Sequence, residues 1–241
     1  MSGQINVSVV VPAYNEERRL PATLDRIAGY LAQHPSLLPA EIVVVDDGST
    51  DRTSSVANAA GATPGVTVRV LRLGRNRGKG AGVRAGLEAS RGKRVLISDA
   101  DLATPIEEVE ALLASGADLA VGSRALRREL IARRQPLPRD AMGRIFNLAL
   151  RVLGLTRLLD TQCGFKLLEG SLARRLAGEM RLDGFAFDVE LLARAACAGA
   201  TIAEVPVRWR HVEASRVRPL RHGAQMLRDA LRLRLWLWLG R

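Results

Sequence analysis

Short apolar runs rich in β-branched residues alternate with helix-like segments through the first half of this 241-residue chain. Five such runs are present, at residues 7–11, 41–45, 66–73, 94–98 and 117–121. Strands that alternate with helices form right-handed βαβ units around a largely parallel sheet. The pattern therefore predicts an α/β fold, a Rossmann-like three-layer domain with a mostly parallel central sheet, and the chain length suits a single domain.

Helix boundaries are marked by residue spacing and by turn-forming residues. Apolar residues recur at helical spacing from Leu20 to Leu31, with Pro21 in the first turn, where its missing N–H is harmless. We expect Ser49 or Thr50 to cap the next helix and Gly61 to end it. Further helices are predicted from residue 78 and at 105–115, 142–152, 171–180 and 187–197, with strands at 164–168 and 201–207 and a loop at 135–138.

Polar residues follow the apolar runs at the points where the predicted strands end. They are Asn15 and Glu16, Asp46 and Asp47, Asn76, and the segment from Asp99 to Asp101. In an open parallel sheet the carboxyl ends of the strands share one edge, and ligands bind there. The sequence therefore predicts one binding site built from these strand ends.

The segment Asp99-Ala100-Asp101 places two carboxylates two residues apart, directly after a strand. Both can approach one divalent cation, and hard oxygen ligands favour Mg²⁺ or Mn²⁺ with positions left open for diphosphate oxygens. Such a metal neutralises the charge that develops on a leaving nucleotide diphosphate. The alternative is a polar strand exit whose carboxylates are only hydrated.

Two further motifs indicate a nucleotide. Asp46 and Asp47 are poorly suited to phosphate, but one of them can accept a hydrogen bond from a nucleobase N–H; helix capping is the alternative. Gly78-Lys79-Gly80 lacks the Ser or Thr of a complete phosphate loop. Its glycines still allow close approach of the backbone, and Lys79 can contact the nucleotide, unless the segment is only a turn.

Basic charge is concentrated in two segments of a chain whose net charge is +11. Residues 124–144 carry a net +5 and residues 208–241 a net +7, which indicates an anionic partner or, alternatively, the arginine usage of a GC-rich genome. The planar guanidinium groups of Arg124, Arg139 and Arg144 suit phosphate, although most of the arginines are expected to be solvated. Aromatic residues make up only 4% of the chain, too few for base stacking, so we do not expect a nucleic-acid partner.

Two acids and the C-terminal segment are further candidates for function. Asp188 and Glu190 lie among large apolar residues, which suits a base or an acceptor-orienting group, or simply the first turn of a helix. Residues 226–241 combine leucines, arginines and two tryptophans, which fits a segment on an anionic lipid surface. Their alternation is closer to period two than to 3.6, and a packed terminal helix or a subunit contact is the alternative.

Several features bear on the compartment. The two cysteines cannot form a disulfide framework, which favours a reducing cytosol. The N-terminal residues do not resemble a signal peptide, and no stretch reaches the roughly 20 apolar residues that span a bilayer. We therefore expect a cytoplasmic protein, peripheral at the cytoplasmic face of the membrane.

The motifs together resemble those of family 2 glycosyltransferases with the GT-A fold. The resemblance lies in Val-Val-Val-Pro-Ala-Tyr-Asn-Glu-Glu at 9–17, Val-Val-Asp-Asp-Gly-Ser-Thr-Asp at 44–51, Asn-Arg-Gly-Lys-Gly at 76–80 and Asp-Ala-Asp at 99–101. Within that family, the segments 98–105, 160–167, 187–192 and 202–209 are similar to those of polyprenyl (dolichyl)-phosphate β-glucosyltransferases. The resemblance extends over roughly residues 5–240.

The resemblance implies roles for individual residues. The nucleotide-sugar site would comprise Pro12, Ala13, Tyr14, Asn15, Glu16, Asp46, Asp47, Lys79, Asp99, Ala100 and Asp101, with Asp99 and Asp101 as the metal ligands. The acceptor phosphate would contact Arg124, Arg139, Arg208, Ser215 and Arg216, and the catalytic residues would be Asp101, Asp188 and Arg124. Related mannosyltransferases have a Gln as a further metal ligand where this chain has Ala103, so that ligand is not carried over.

The resemblance predicts an inverting, metal-dependent transfer of glucose from UDP-glucose to a polyprenyl monophosphate. Residues 1–122 would bind the nucleotide-sugar and residues 123–220 the acceptor, followed by a basic segment at 221–241. Eukaryotic relatives have an N-terminal membrane anchor that is not expected here, which leaves the basic C-terminal segment as the candidate for membrane attachment. Alternatives are a polyprenyl-phosphate mannosyltransferase using GDP-mannose, a family 2 enzyme with a soluble acceptor, and a non-catalytic nucleotide-binding relative.

Overall fold

Seven strands form the central sheet of the computed structural model, which describes residues 4–133, 137–212 and 219–239. They are β1 (Val7–Ala13), β2 (Ala40–Asp46), β3 (Val66–Arg72), β4 (Arg94–Ile97), β5 (Leu119–Ser123), β7 (Lys166–Glu169) and β8 (Ile202–Pro206). Two shorter strands, β6 (Ile131–Arg133) and β9 (Trp209–Arg210), pair separately in parallel.

The sheet has the strand order β3-β2-β1-β4-β7-β5-β8. All neighbouring pairs are parallel except those that involve β7, which runs antiparallel to β4 and to β5. The predicted α/β fold with a mostly parallel sheet is confirmed. Strand β1 is central because its apolar run is buried on both faces, as parallel strands between two helical layers require.

Helices cover both faces of this sheet. They are α1 (Leu20–Ala32), α2 (Thr53–Asn58), α3 (Lys79–Ala89), α4 (Val109–Ala114), α5 (Leu137–Val152), α6 (Gly170–Glu179), α7 (Phe187–Cys197) and α8 (Pro219–Trp238). Helices α1 and α4 pack on one face, whereas α3, α6 and α7 pack on the other. Alternate residues of β1 serve both layers: Val9 and Val11 face the first core and Val10 the second, each burial contributing about 1.5–3 kcal/mol.

A third, smaller core joins the second half of the chain to its C-terminus. Leu150 of α5, Val189 of α7 and Ala230 and Leu233 of α8 are buried together there. Helix α8 runs without a break from Pro219 to Trp238, so the alternative of a packed terminal helix is correct there and the two-residue alternation was misleading. Among the described residues, no helix is both long enough and apolar enough to cross a bilayer.

Some predicted boundaries are wrong for local reasons. Helix α2 begins at Thr53 and not after Ser49 or Thr50, because the Ser49 hydroxyl instead accepts the Asn15 N–H at 2.8 Å. It ends at Asn58, short of Gly61. The predicted loop at 135–138 fails at its end, since residues 137 and 138 already belong to α5, while 135 and 136 lie outside the described residues.

Candidate active site

A cleft of about 930 Å³ lies at the carboxyl ends of β1, β2 and β4. Four residues at the end of β1, Pro12, Ala13, Tyr14 and Glu16, line it, as do residues that follow β2 and β4. The Glu16 carboxylate is held by Arg19, whose Nε and Nη2 donate at 2.8 and 2.9 Å. The strand ends therefore converge on one cavity, as expected for an open parallel sheet.

Asp47 anchors the glycine-rich segment at one end of this cleft. Its two carboxylate oxygens accept the backbone N–H groups of Arg77 and Gly78, each at 2.8 Å. Burial raises the pKa of Asp47 above its ordinary value, although these two donors act in the opposite direction. Gly78 has φ of +113°, and a Cβ there would lie 2.4 Å from the Asp183 carbonyl oxygen, so only glycine fits.

The neighbouring Asp46 and Asn15 build the loops but do not line the cleft. The fully buried Asp46 carboxylate accepts the Ser49 N–H at 2.8 Å and also the Ser54 hydroxyl. Asn15, at φ +53°, accepts the Thr50 N–H at 2.8 Å. The structure therefore brings Asp47, and not these two residues, to the predicted nucleotide-sugar site.

Lys79 and the two aspartates of the Asp-Ala-Asp motif form a charged cluster in the cleft. Lys79 Nζ lies 2.5 Å from Asp99 Oδ1, and Asp101 Oδ1 accepts the Ala103 N–H at 3.0 Å. Burial, and next the negative charge of Asp99, raise the pKa of Asp101. A Cβ on Gly164 would lie 2.1 Å from Asp99 Oδ2, so the Asp99 carboxylate occupies space that only this glycine leaves.

The motif suits a hard divalent cation that the protein binds only in part. Within the described ranges, no group of three or more His, Cys, Asp or Glu side chains is placed to hold a metal. Mg²⁺ and similar ions are commonly held by one or two carboxylates together with substrate phosphates and water. Asp99 and Asp101 fit that pattern, and Ala103 adds no ligand atom from its side chain.

Asp188 is ion-paired with a lysine that the sequence analysis did not single out. Lys166 is fully buried, and its Nζ donates to the Cys163 carbonyl at 2.6 Å and also to Asp188 Oδ1. Burial raises the pKa of Asp188, whereas Lys166 and then Lys79 lower it. The clue was a single lysine among apolar residues of β7, because a buried ammonium requires a carboxylate partner.

Glu190 is hydrogen-bonded to the backbone of the segment that forms one wall of the cleft. It is fully buried and accepts the N–H groups of Arg181 and Leu182, at 2.9 and 2.7 Å. Arg194 Nε donates to it at 2.9 Å. Glu190 therefore fixes the segment 181–184, which lines the cleft, and its carboxylate does not itself reach the cavity.

Arg124 lines the cleft in a fixed orientation. Its Nε and Nη2 donate to the two Asp160 carboxylate oxygens at 2.7 and 2.8 Å, and its backbone N–H donates to the same residue at 3.0 Å. Burial opposes the charge, but Asp160 raises the pKa of Arg124. The guanidinium carbon also lies 5.4 Å from the centroid of the Trp209 ring. The pairing therefore holds the guanidinium beside the cavity in one orientation.

The sequence matches that of known enzymes over most of its length. The family model for glycosyl transferase family 2 matches residues 8–175, which include the Asp-Ala-Asp cluster. The chain belongs to this family. Dolichyl-phosphate beta-glucosyltransferase from Mus musculus is 43% identical, over 95% of this chain and 75% of its own length. The Saccharomyces cerevisiae enzyme of the same name is 32% identical, over 98% of this chain and 76% of its own length.

Solved structures of related enzymes share the fold. Glucosyl-3-phosphoglycerate synthase from Mycobacterium tuberculosis, in complex with Mn²⁺, UDP-glucose and phosphoglyceric acid, aligns with a TM-score of 0.67 and 25% identity, covering 98% of this chain and 80% of that chain. A second mycobacterial protein aligns with a TM-score of 0.68 and 28% identity, covering 98% and 75%. The predicted family and its GT-A fold are confirmed, and the protein is a glycosyltransferase.

Among the other residues predicted for the acceptor phosphate, the described structure shows the side chain of Arg208, which does not line the cleft of this glycosyltransferase. The Arg208 side chain pairs with the Glu108 carboxylate, away from the cavity. Arg139 lies in the first turn of α5, but its side chain is outside the described part of the structure. Ser215 and Arg216 lie outside the described residues. Arg124 is the member of this set that the described structure places in the cleft.

The far end of the glycosyltransferase cleft is formed by α5 and α8, whose apolar side chains sequence reasoning did not assign to the site. Apolar side chains there are Met142, Phe146, Met226 and Trp236. Arg181 stacks on one of them, with its guanidinium carbon 5.7 Å from the Trp236 ring centroid. The helical stripe of α5 was visible in the sequence, but the partner it faces was not. The cavity thus has a carboxylate-lined end and an apolar, basic end.

Proposed function

We propose that this enzyme transfers glucose from UDP-glucose to a polyprenyl (dolichyl) monophosphate, with inversion at the anomeric carbon and with a divalent metal. One observation carries the proposal: a single cavity joins the carboxylate-lined strand ends to an end lined by Arg124, Trp209 and apolar residues of α5 and α8. The first end suits a metal-bound diphosphate, and the second suits a phosphate attached to a hydrocarbon chain. The names and high identity of the curated relatives support this substrate pair.

At the donor end, Pro12, Tyr14 and Asp47 line the part of the cleft assigned to the nucleoside. Lys79 is poised beside Asp99 to contact the diphosphate. A divalent cation, Mg²⁺ or Mn²⁺, bound by Asp99 and Asp101 would neutralise the negative charge that leaves with the nucleotide. The Mn²⁺ and UDP-glucose in the related synthase structures support both assignments.

At the acceptor end, a phosphate oxygen attacks the anomeric carbon while the bond to the diphosphate oxygen breaks, and UDP leaves with the electron pair. The acceptor is already an anion at neutral pH, so no strong general base is needed. Arg124 offsets the repulsion between the two anions, and its pairing with Asp160 fixes its direction. Asp188, held by Lys166, would orient neighbouring cationic groups without taking a proton.

Residues 1–122 are proposed to form the nucleotide-sugar half, residues 123–220 the acceptor half and residues 221–241 a basic C-terminal segment of one domain. The cleft lining supports this division. The strand ends before residue 122 supply Asp47, Asp99 and Asp101, whereas α5, α7 and α8 supply the opposite wall, which includes Asp188 and Asp229.

A radiolabelled transfer assay tests the proposed reaction directly. UDP-glucose and GDP-mannose are offered separately with polyprenyl phosphate, Mg²⁺ or Mn²⁺, and a chelator control. We expect chelator-sensitive label in the lipid phase from UDP-glucose alone. Label from GDP-mannose alone would overturn the donor but keep the acceptor. Because the related synthase structures contain phosphoglyceric acid, that soluble acceptor is a parallel arm, and label only there would overturn the lipid acceptor.

We also propose that the enzyme binds peripherally to an anionic membrane, at its cytoplasmic face. Exposed apolar side chains lie on one stripe of α8, at Leu227, Leu231, Leu235 and Trp238, and on α5, at Ile145, Leu148 and Val152. Exposed arginines flank them, including Arg144, Arg151 and Arg234. Apolar side chains beside cationic ones are typical of helices that lie in the interface of anionic bilayers.

The membrane proposal predicts that Leu231→Glu combined with Leu235→Glu lowers the vesicle-bound fraction more than about tenfold, because two leucine side chains no longer enter the bilayer. Co-sedimentation with phosphatidylserine-containing vesicles measures it. The matched control combines Ala22→Glu with Gln33→Glu, which adds the same two negative charges at exposed positions of α1 and its C-cap rather than of α8. Equal binding of the double variant and the control would count against α8 as the attachment surface.

A further inference from the structure

Asp229 places a buried carboxylate in the α8 wall of the cleft. The residue is only 8% exposed, yet it lines the cavity. It faces Gly184: a Cβ built on that glycine would lie 4.0 Å from Asp229 Oδ2 and 3.3 Å from Gln225 Nε2. The missing side chain at Gly184 therefore leaves a space that a carboxylate and an amide border together.

The Asp229 carboxylate has no hydrogen-bond donor within the described part of the chain. The nearest cation is Arg232, whose Nη1 lies 3.7 Å from Asp229 Oδ1, beyond hydrogen-bond distance. Burial raises the pKa of Asp229, and only Arg232 and Arg228 oppose it. The Asp229 oxygens line the cavity and accept no hydrogen bond from a described residue, so they are open to a ligand that donates hydrogen bonds.

The chemistry of this wall narrows the ligand. Gln225, Asp229 and Arg232 share one face of α8 with Trp236, and all four line the cleft. A carboxylate repels phosphate, and a cation alone would need more than one carboxylate; the nearby Asp183 is already paired with Arg84 at 2.6 Å. A neutral hydroxyl group can donate to a carboxylate or an amide oxygen and can accept from an amide or a guanidinium N–H, so hydroxyl groups suit this wall.

The position of Asp229 relative to the donor end identifies the hydroxyl-bearing group. Asp183, which precedes Gly184, accepts the Ala81 N–H at 3.2 Å through its carbonyl oxygen. Ala81 lies in the first turn of α3, two residues after Lys79, which contacts Asp99. Asp229 therefore faces the backbone segment that is hydrogen-bonded to the start of α3, close to Lys79 and Asp99, which are proposed to contact the diphosphate. In a nucleotide-sugar, the group next to the diphosphate is the sugar.

We infer that Asp229 accepts hydrogen bonds from hydroxyl groups of the transferred hexose, while Gln225 donates to them, and that this pair determines which sugar the enzyme accepts. The inference rests on the proposed nucleotide-sugar donor and adds the residues that read its sugar. A site built to bind a hydroxyl group discriminates strongly, because a sugar that lacks the matching hydroxyl leaves the carboxylate unpaired.

Equilibrium binding tests this role without an acceptor. Calorimetry in the presence of Mn²⁺ measures the affinities of UDP, UDP-glucose and its 4-epimer UDP-galactose. The measurements are made on the wild-type protein and on the full-length Asp229→Asn variant. We expect UDP-glucose affinity to fall about tenfold or more, the value for a hydrogen bond to a charged group, while UDP affinity stays unchanged. The ratio of the affinity for UDP-glucose to the affinity for UDP-galactose should also decrease in the variant. Asp25→Asn, an exposed helical aspartate on α1, is the matched control and should change neither affinity.

A stability measurement separates recognition from a structural role. Because Asp229 has no donor in the described structure, Asp229→Asn should keep or raise the Tm of the ligand-free protein. A lower Tm with unchanged UDP-glucose affinity would overturn the inference in favour of a structural contact. Parallel loss of UDP and UDP-glucose affinity, or wild-type protein that binds UDP-glucose no better than UDP, would also overturn it.

Failure of the proposed function is distinguishable from failure of this inference. The first is measured as label transfer by the wild-type enzyme, and the second as a difference between two affinities in a variant. If the wild type uses GDP-mannose, the same comparison is made with GDP and GDP-mannose, and the expected loss at Asp229→Asn is the same.

Discussion

Replacing Asp99 with alanine is expected to lower kcat/KM for glucose transfer by about a hundredfold to a thousandfold, the cost of removing one preorganised electrostatic group. Asp99 is the contact of Lys79 Nζ at 2.5 Å and one of the two carboxylates available to a cation. Its loss removes a proposed metal ligand and leaves Lys79 without its nearest anion. The radiolabelled assay at saturating Mn²⁺ measures the change.

A binding measurement shows whether the metal accounts for this loss. Wild-type protein should bind UDP more tightly with Mn²⁺ than without it, and Asp99→Ala should lose that increment while keeping the metal-free affinity. Asp25→Ala on the exposed face of α1 is the control for removal of one negative charge. If Asp99→Ala and Asp101→Ala both transferred glucose at the wild-type rate, these carboxylates would have no role in the reaction.

Replacing Lys166 with methionine is expected to destabilise the fold by about 3–5 kcal/mol, because a buried charge pair is costly to break on one side. Lys166 is fully buried, and its ammonium contacts Asp188 and the Cys163 carbonyl. Without it, the Asp188 carboxylate stays in a low-dielectric setting, where Lys79 and Arg124 are the nearby cations that remain among the described residues. Thermal unfolding should show a drop in Tm of about 10 °C for a chain of this size.

The double variant Lys166→Met with Asp188→Asn separates stability from catalysis. Removing both charges relieves the uncompensated carboxylate, so most of the lost stability should return. Transfer activity should stay low, because the proposed orienting charge of Asp188 is gone. A double variant as unstable as Lys166→Met alone would show that the pair is not the source of the loss, and full activity would exclude a role for Asp188.

The first half of the fold was predictable because local pattern and topology agree there. Alternating strands and helices require a parallel sheet, and a parallel sheet brings strand ends such as Asp47 and Asp99 together. The local residue pattern alone did not distinguish Asp46 from Asp47. Successive side chains point to opposite sides of a strand, so one of the two must turn inward, but the sequence does not say which.

Pairings across long stretches of sequence were beyond sequence reasoning. Arg124 meets Asp160 across 36 residues, and Lys166 meets Asp188 across 22. Each residue carries a charge that suits a site, but only the folded chain shows whether that charge is already neutralised. The arginines were therefore easy to nominate as phosphate ligands, whereas their internal carboxylate partners were missed.

Helix α8 explains why its sequence resembles a strand. Leucines are needed on the face that packs in the third core, such as Leu233, and again on the outward stripe, such as Leu231 and Leu235. Polar residues of the cleft face, such as Arg232, fall between them. Two apolar faces separated by a polar one produce near alternation along a helix, so the period was not the signature of a β-strand.

The three faces of α8 also make its length more constrained than its composition. Each residue turns an α-helix by about 100°, so inserting one residue before Gln225 would turn the cleft, core and outward faces by that angle together. Leucine can replace leucine on two of those faces, but no single substitution can restore three misaligned surfaces. A change in residue count that a surface loop would tolerate should therefore disrupt the cleft wall, the helix packing and the outward apolar stripe at once.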